Sequence, residues 1–499
     1  MSASLEEFQQ SQQLLVAGNP RGALVAARRA SRRDASPQAK AALAAILIDA
    51  SELLGMPSLA REGREILLSL EAKWPPSALG HVHYNVGNAY ATIGKFERGV
   101  GPGTRASLAE AVSHYDEAAQ RLTLPDLRAN LANTFLRQGR WVEGLDELDD
   151  LLRNHPDHYN ALAFRGSALM GMSIWLGDSH AGLLYAALDS YQRAYDLAAD
   201  DPIAAVGFKR VIDNLRGRLP PAKNLRRRKG SPHSEWIWSQ RLALNPCPYC
   251  RVENPELFDI YPLPGLLTSS RRRIPTEDVH AILNALILTY STARWQLCQA
   301  SLKAEDEFAG HVIQNAGSRT KPANLPIGLL ASAATGFYRL LGQIATSMNN
   351  CFRLGHAPNR VTFDNVWGKS NQKGFPRSRG EIQPSIRRRA TPPIAALYRL
   401  AESMDVGLGR YKELRILRNE IEHRLAVFFD DDPIGSSHLY SPVLVASLRR
   451  GAFQLGRIAK AALWYFAAAV SMDERQRVKQ VRARGFVVCP GKGSTVVRC

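Results

Sequence analysis

The feature that most constrains this chain is a repeated spacing of small residues over positions 1–219. In the basic form of the pattern, a glycine is followed five residues later by a small residue. Two further repeated positions lie four and seven residues after that small residue. The units are Gly18, Ala23, Ala27 and Ala30; Gly55, Ala60, Arg64 and Leu67; Gly87, Tyr90 and Gly94 with Ala111, Tyr115 and Ala118 after a Gly-rich insertion at 99–108; Leu131, Ala132, Phe135, Gly139, Gly144, Leu148, Leu151 and Pro156; and Gly166, Ala187, Tyr191 and Ala194 after an insertion with Trp175 and Gly177. Self-similarity of this kind predicts stacked structural repeats.

The spacing has a physical reason. Small residues at a helix crossing let two helices approach closely, an aromatic side chain fills the groove of the next unit, and Gly or Pro ends each turn. The pattern resembles the tetratricopeptide repeat (TPR), a helix–turn–helix unit of about 34 residues. This resemblance implies about five units stacked as an α-solenoid whose groove holds a protein or peptide partner. The alternative is an irregular helical domain without true repeats.

Charge is distributed unequally and divides the chain near Pro220. Residues 1–219 contain 23 Lys or Arg and 25 Asp or Glu, whereas residues 220–499 contain 41 and 21, and the net charge of the whole chain is +18. The positive residues form three runs: Arg226–Lys229, Arg271–Arg273 and Arg387–Arg389. Clustered positive charge favours a polyanionic partner, nucleic acid first. The alternative is a basic surface that only aids solubility.

No segment predicts a membrane helix. The longest near-continuous apolar run, Ala461–Val470, falls short of the ~20 residues that span a bilayer. Residues Met1–Glu7 lack the basic and apolar regions of a secretory signal. We therefore expect a cytoplasmic protein without membrane contact, in which the six cysteines stay reduced.

One close cysteine pair, Cys247 and Cys250, lies between residues 220 and 277, where the helical period fails and Pro, Gly and basic residues dominate. This composition predicts a linker that docks on the following domain. A structural zinc site needs four ligands, and no second close pair exists in the sequence. We expect a loop with two buried cysteines, no metal and no cofactor; zinc binding and a thioredoxin-like redox role are the alternatives.

Four long helical patterns follow and predict a four-helix bundle. The patterns cover 277–303, 325–354, 393–429 with a break near Gly407 and Gly409, and 441–477. The connection at 368–392 carries seven Lys or Arg and one acidic residue, so we expect that it does not bury itself and that it binds a phosphate backbone. The expected nucleic-acid contacts are Lys369, Lys373, Arg377, Arg379, Arg387, Arg388 and Arg389.

The third pattern contains four polar residues that share one side of a helix. At ~100° per residue, Arg418, Asn419, Glu422 and His423 fall in one polar sector. The apolar stripe of the same helix consists of Leu414, Leu417, Ile421, Leu425 and Phe428. One helix thus offers a permanent cation, an amide and a group that titrates near neutral pH. The alternative is an ordinary solvated face with an Arg418–Glu422 pair.

A second copy of the same Arg-Asn-x3-His spacing occurs at Arg153–His158. It contains Pro156 at a repeat turn, and a proline cannot continue a helix that would present both side chains. We reject this copy and keep the one on the long helix of the basic bundle.

The Arg418–His423 segment resembles the HEPN superfamily (higher eukaryotes and prokaryotes nucleotide-binding), whose active members carry Arg-x(4–6)-His, often with Asn or Asp after the Arg. More of the chain resembles the HEPN branch that is fused to TPR repeats. The matching segments are Trp236–Pro246, Ala293–Trp295, Phe337–Phe352 and Val361–Trp367. The resemblance covers roughly residues 235–475 and departs at Cys247–Cys250 and in the Arg-rich connection.

This resemblance implies metal-independent RNA cleavage, in which a ribose 2′-OH attacks the adjacent phosphate. His423 would exchange the proton, and Arg418 would stabilise charge on the phosphate oxygens. Asn419 would position His423 or the phosphate, and Glu422 would orient the Arg418 guanidinium. The family also implies a homodimer with two such helices across a cleft, and a prokaryotic defence or toxin role. The alternative is a non-catalytic TPR–HEPN adaptor that binds RNA or nucleotide.

We therefore expect an all-α protein in four parts. These are a TPR-like solenoid at 1–219, a basic linker and docking segment at 220–277, a HEPN-like bundle at 278–480 and a C-terminal tail at 481–499. The repeats would bind a protein partner, and the basic part would bind RNA.

Overall fold

The computed structural model describes residues 3–99, 101–176, 181–219, 228–259, 276–302, 325–368, 382–405, 409–424, 426–429 and 440–483. Within those residues the chain is helical apart from short 3-10 turns and one pair of short strands, which confirms the predicted all-α class. The chain divides into two compact units. The first consists of Met1–Gly139 with Gly144–Arg165, and the second of Arg140–Glu143 with Gly166–Cys499.

Helices joined by short connections make up the repeat region. Their bounds are α1 Ala3–Val16, α2 Pro20–Arg33, α3 Pro37–Leu54, α4 Pro57–Leu70, α5 Leu79–Phe96, α6 Ala106–Ala119, α7 Pro125–Arg137, α8 Trp141–Asn154, α9 Tyr159–Leu176, α10 Ala181–Leu197 and α11 Pro202–Arg218. Several begin with proline at the first turn, where its missing N–H has no helical partner to lose. Asn19, Ser36 and Asp201 cap three of these helices.

Close helix packing occurs where the repeated spacing predicts it. A Cβ placed at Gly87 would lie 2.7 Å from the ring of Tyr115, and one at Gly166 would lie 2.6 Å from the ring of Tyr191. Both tyrosines are buried, as is Phe135. The glycines therefore make room for the aromatic side chains of neighbouring helices, and the predicted helical repeat is confirmed. Helix α8 ends at Asn154, so Arg153 and His158 do not lie on one helix. This agrees with our rejection of the second copy of the Arg-Asn-x3-His spacing.

In its described residues, 228–259, the segment after the repeats contains two short helices, α12 Pro232–Ser239 and α13 Pro248–Glu253. The carbonyl of Leu242 accepts hydrogen bonds from Tyr290 Oη at 2.9 Å and from Arg294 at 3.1 Å. The carbonyl of Leu244 accepts one from the Trp464 indole at 2.8 Å. These bonds fix the backbone of this segment against two helices of the bundle.

The bundle contains α14 Thr276–Leu302, α15 Leu325–Phe352, α16 Pro384–Arg388, α17 Pro392–Ser403, α18 Lys412–His423 and α19 Val445–Ala483. Helices α14 and α15 pack together, α19 packs on both and on α17, and α18 packs on α15 and α19. By length and hydropathy α15 is the one helix in the described part of the chain that could cross a bilayer. Its contacts with α14, α18 and α19 are those of a core helix in a bundle.

The helix predicted at 393–429 is wrong at its C-terminal end. Helix α18 stops at His423, and Ala426–Phe429 form strand β1, which pairs in parallel with strand β2, Ser441–Leu444. Phe428 therefore lies opposite Val443 in a sheet and not on the apolar stripe of a helix, and Leu425 lies outside the described residues. The physical reason is that β-branched and aromatic side chains favour a strand when a second strand can pair with them. For the same reason the fourth helix begins at Val445 and not at residue 441.

The basic connection also differs from expectation in its described part. Residues 382–391 include α16, and Ile382, Gln383 and Ile386 are buried. The backbone N–H of Gln383 donates to the carbonyl of Trp367 at 2.8 Å. The expectation that the connection does not bury itself is wrong here, because the two isoleucines supply an apolar anchor among the arginines.

Candidate functional site

An open groove with a volume of about 1280 Å³ runs along the bundle. Its walls come from α14, α15, the turn at 361–364 and α18. The residues contributed by α18 are Arg415, Arg418, Asn419 and Glu422. Leu414 and Leu417 of α18 are buried, and the adjacent polar sector of this helix faces the groove.

Arg418 is held by two side chains of its own helix and by one aromatic ring. Its Nε lies 2.5 Å from Glu422 Oε2, and its Nη1 donates to Asn419 Oδ1 at 2.9 Å. The Nε–H is not directed at the carboxylate, so the Glu422 contact is an ion pair without a well-aligned hydrogen bond. The guanidinium carbon lies 5.0 Å from the ring centre of Tyr338 on α15. Arg418 and Glu422 are each 27% exposed, so the pair remains accessible from the groove.

A second ion pair lies beside the first. Arg415 Nη1 is 2.7 Å from Asp364 Oδ2, and both residues line the groove. Burial raises the pKa of Asp364, and the neighbouring Arg415 opposes that rise. Burial and the charge of Asp364 raise the pKa of Tyr338. Arg339 of α15, which is exposed, adds a third arginine to the walls.

Sequence reasoning missed Arg415, Asp364, Tyr338 and Arg339. Arg415 could have been found, because it precedes Arg418 by three residues and therefore shares its helix face. The other three belong to α15 and to a turn before the basic connection. Their position depends on how α15 packs against α18, which no local pattern encodes.

His423 lies at the end of α18 and is exposed. It follows Asn419 by one helical turn, and it is ~7.5 Å further along the helix axis than Arg418 at ~1.5 Å per residue. The groove walls include Asn419 and Glu422 but not His423. The structure therefore brings Arg418, Asn419 and Glu422 together at the groove and leaves His423 outside the residues that line it.

The basic connection contributes no residue to this groove within its described part. Lys369, Lys373, Arg377 and Arg379 lie outside the described residues. Arg387 and Arg388 are exposed at the end of α16. Arg389 is engaged within the protein, since its Nε lies 3.4 Å from Asp473 Oδ1 and its guanidinium carbon 5.9 Å from the ring centre of Phe352.

The cysteine pair has a local structural role. Cys247 and Cys250 are both buried. The sulfur of Cys247 accepts a hydrogen bond from the backbone N–H of Cys250 at 3.4 Å, which caps α13. In the described part of the chain no group of three His, Cys, Asp or Glu side chains is arranged to hold a metal ion.

Comparison with known proteins finds similarity in each part of the chain. Residues 270–473 match the LA2681-like HEPN family. A thermophilic TPR protein of Thermus thermophilus is 19% identical, with 42% of this chain and 99% of that chain covered and a TM-score of 0.34. The TPR2AB domain of yeast Sti1, solved as a pHSP90 complex, is 12% identical over 43% of this chain and 98% of its own, with a TM-score of 0.20. No curated protein matches the chain.

Proposed function

From the LA2681-like HEPN domain that residues 270–473 form, we propose that the protein is an endoribonuclease whose groove beside α18 binds RNA. The observation that carries the proposal is the placement of Arg418 in an open groove, stacked on Tyr338 and paired with Glu422. A guanidinium fixed in this way stabilises negative charge on phosphate oxygens without reorganising during the reaction.

The proposed reaction is a transesterification. The ribose 2′-oxygen forms a bond to the adjacent phosphorus, and the bond from phosphorus to the 5′-oxygen breaks. One proton leaves the 2′-OH and one is delivered to the departing 5′-oxygen. His423 is the group assigned to proton exchange, since an imidazole both accepts and donates a proton near neutral pH. No step requires a metal ion.

A homodimer is part of the proposal, because His423 is not among the walls of the groove within one chain. Two copies of α18 that face each other would enclose RNA between them. Apolar side chains near the groove support such a contact, since Leu288 on its wall is 68% exposed and Ile416 on α18 is 46% exposed.

The repeat region is the part of the protein that we propose to regulate RNA cleavage. Stacked helical repeats carry extended surfaces that bind peptides and proteins, and residues 1–219 have a balanced charge that does not favour RNA. We assign a protein or peptide partner to them, and a prokaryotic defence or toxin role to the whole protein.

The second candidate function is an adaptor that binds RNA or nucleotide without cutting it. Two observations favour it: Arg418 is already paired with Glu422, and His423 is not among the groove walls. An adaptor needs only the positive groove, whereas a nuclease needs the imidazole to reach the 2′-OH as well.

Incubation of the purified full-length protein with total RNA in EDTA tests the proposal. We expect cleavage by the unaltered protein and a loss of at least ~10²-fold in Arg418→Ala and His423→Ala. Arg450→Ala, on the exposed side of α19, is the matched control and should cut normally. Intact RNA with retained binding would establish the adaptor, and cleavage that stops in EDTA would contradict the metal-independent reaction.

A further inference from the structure

Helix α15 contains a single charged residue, and that residue lies on the groove beside α18. Over the 28 residues Leu325–Phe352 the one Asp, Glu, Lys or Arg is Arg339. Uncharged polar residues at helical spacing share its face of α15 and also line the groove; they are Ser332, Thr335, Gln343, Thr346 and Asn350. Arg339 therefore lies at the centre of the wall that α15 contributes.

Arg339 has no partner within the part of the chain that the structure describes. Its side chain is exposed and forms no ion pair, hydrogen bond or ring contact there. The residues three and four positions away on either side are uncharged, so its own helix offers no carboxylate. The two arginines of α18 differ, since Arg415 is paired with Asp364 and Arg418 with Glu422. Among the groove walls, Arg339 is the positive charge that no carboxylate of the protein offsets.

The groove is too large for a single nucleotide. Its volume of about 1280 Å³ exceeds the ~300–1,000 Å³ that is usual for small-molecule sites. Its wall on α15 extends from Ser332 to Asn350, which is ~27 Å at ~1.5 Å per residue. Because a stacked nucleic-acid strand rises ~3.4 Å per nucleotide, this length accommodates several nucleotides.

Two side-chain amides on the groove walls distinguish an unpaired strand from a duplex. Gln296 of α14 and Asn350 of α15 both line the groove, and neither amide forms a hydrogen bond within the described part of the chain. Each amide offers both a donor and an acceptor. The edges of unpaired bases carry matching groups, whereas base pairing occupies them in a duplex. These walls therefore suit single-stranded RNA.

We propose that the groove takes an unpaired RNA strand of several nucleotides, and that Arg339 binds a phosphate next to the one at which cleavage is proposed. This inference rests on the proposed binding of RNA by the groove. Arg418 stacks on Tyr338, and consecutive residues of a helix diverge by ~100°, so Arg339 extends away from that contact. An unpaired guanidinium binds phosphate oxygens through its paired N–H donors.

Fluorescence anisotropy with a labelled single-stranded RNA of about 12 nucleotides tests the proposal. The full-length protein carries His423→Ala and the buffer contains EDTA, so that the proposed cleavage does not consume the RNA. We expect Arg339→Gln to weaken binding by ~10-fold. It should also reduce the slope of log affinity against log salt by ~0.7, which is the value for one phosphate contact in a single strand. Arg339→Lys should restore the slope, because it keeps the charge.

Two controls show that the effect belongs to this position. Arg449→Gln removes an exposed arginine of α19 that does not line the groove, and it should leave the affinity and the slope unchanged. Because Arg339 is exposed, Arg339→Gln should unfold at the same temperature as the parent protein, which excludes a folding defect.

RNAs with one uncharged methylphosphonate each locate the phosphate. The effect of Arg339→Gln should disappear at one position, and that of Arg418→Gln at the adjacent position. Loss of both effects at the same position would overturn the assignment of Arg339 to a separate phosphate.

The same RNA annealed to its complement, and adenosine 5′-monophosphate, should each bind at least ~10-fold more weakly than the single strand. The inference is overturned if the duplex binds as tightly, or if Arg339→Gln keeps the affinity and the slope. Cleavage by the unaltered protein together with unchanged binding by Arg339→Gln would leave the nuclease proposal standing. Loss of binding through Arg339 without any cleavage would keep the inference and favour the adaptor, and a complete absence of RNA binding would overturn both.

Discussion

At the scale of single residues, the proposed function depends on how Arg418 is held. Three contacts restrain it: the ion pair with Glu422, the hydrogen bond to Asn419 and the ring of Tyr338. Glu422 is four positions from Arg418 on the same helix, so the sequence predicted this contact. Asn419 is the next residue, and the spacing along a helix does not by itself predict its hydrogen bond to Arg418. Tyr338 could not be predicted, since it is distant in the sequence and belongs to another helix.

Arg418→Lys separates the charge of Arg418 from its shape. Lysine keeps the positive charge but loses the planar fork and most of the stacking on Tyr338. We expect RNA cleavage to fall by roughly 10²-fold, with RNA affinity reduced only a few-fold, in cleavage and filter-binding assays. Arg450→Lys on the exposed side of α19 should change neither. Equal cleavage by Arg418→Lys would show that a point charge is sufficient.

A pair of histidines in the repeats predicts a pH dependence of stability. His83 Nδ1 and His114 Nδ1 lie 3.1 Å apart, so one ring must be neutral to accept the proton of the other. Burial, and then His83, lower the pKa of His114, while Glu71 and Glu117 oppose that shift. Because the unfolded chain then binds more protons than the native protein below about pH 6.5, stability falls as the pH drops through this range.

The measurement is thermal unfolding at pH 7.5 and pH 5.5. In His114→Gln the amide keeps a hydrogen bond to His83 and does not titrate. We therefore expect its melting temperature to fall less from pH 7.5 to pH 5.5 than that of the unaltered protein. His81→Gln is the control, because His81 is exposed on the same helix as His83. An identical loss in His114→Gln would contradict the assignment.

At the scale of elements, α15 and α18 build the groove, and the small residues of α15 keep it open. Gly342 lines the groove, and a Cβ at this position would meet no atom within 4 Å. The helices themselves could be predicted, since their apolar periodicity is local. The strand pair β1–β2 could not, because Val427, Phe428 and Phe429 suit the stripe of a helix as well as a strand, and their partner strand begins only at Ser441.

Gly342→Leu tests whether RNA uses this groove. Leucine has room at this position and favours a helix more than glycine does, so we expect stability to be kept or raised by up to ~1 kcal/mol. RNA binding should weaken by ~10-fold or more because the side chain occupies the groove, which a filter-binding titration measures. Gly328→Leu on the same helix, also in open space but off the groove, is the matched control. Unchanged binding by Gly342→Leu would place RNA elsewhere.

At the scale of the whole molecule, the repeats and the distribution of charge are the basis for assigning a protein partner to residues 1–219 and RNA to the basic part of the chain. The repeat spacing and the asymmetry of charge are properties of long stretches of chain, which is why both could be read from the sequence. The expectation that the basic connection does not bury itself was wrong in its described part, where Ile382 and Ile386 are buried and Arg389 pairs with Asp473. The positive groove residues Arg339, Arg415 and Arg418 instead come from helices.

The most direct test of the account uses an RNA whose cleavage site has been mapped. The proposed reaction needs the 2′-OH next to the broken bond, so a substrate with a single 2′-deoxy nucleotide there should bind within about 2-fold of the all-ribose RNA and remain uncut. The all-ribose RNA should yield a 2′,3′-cyclic phosphate end. Cleavage of the deoxy substrate at the same position and rate would contradict the account.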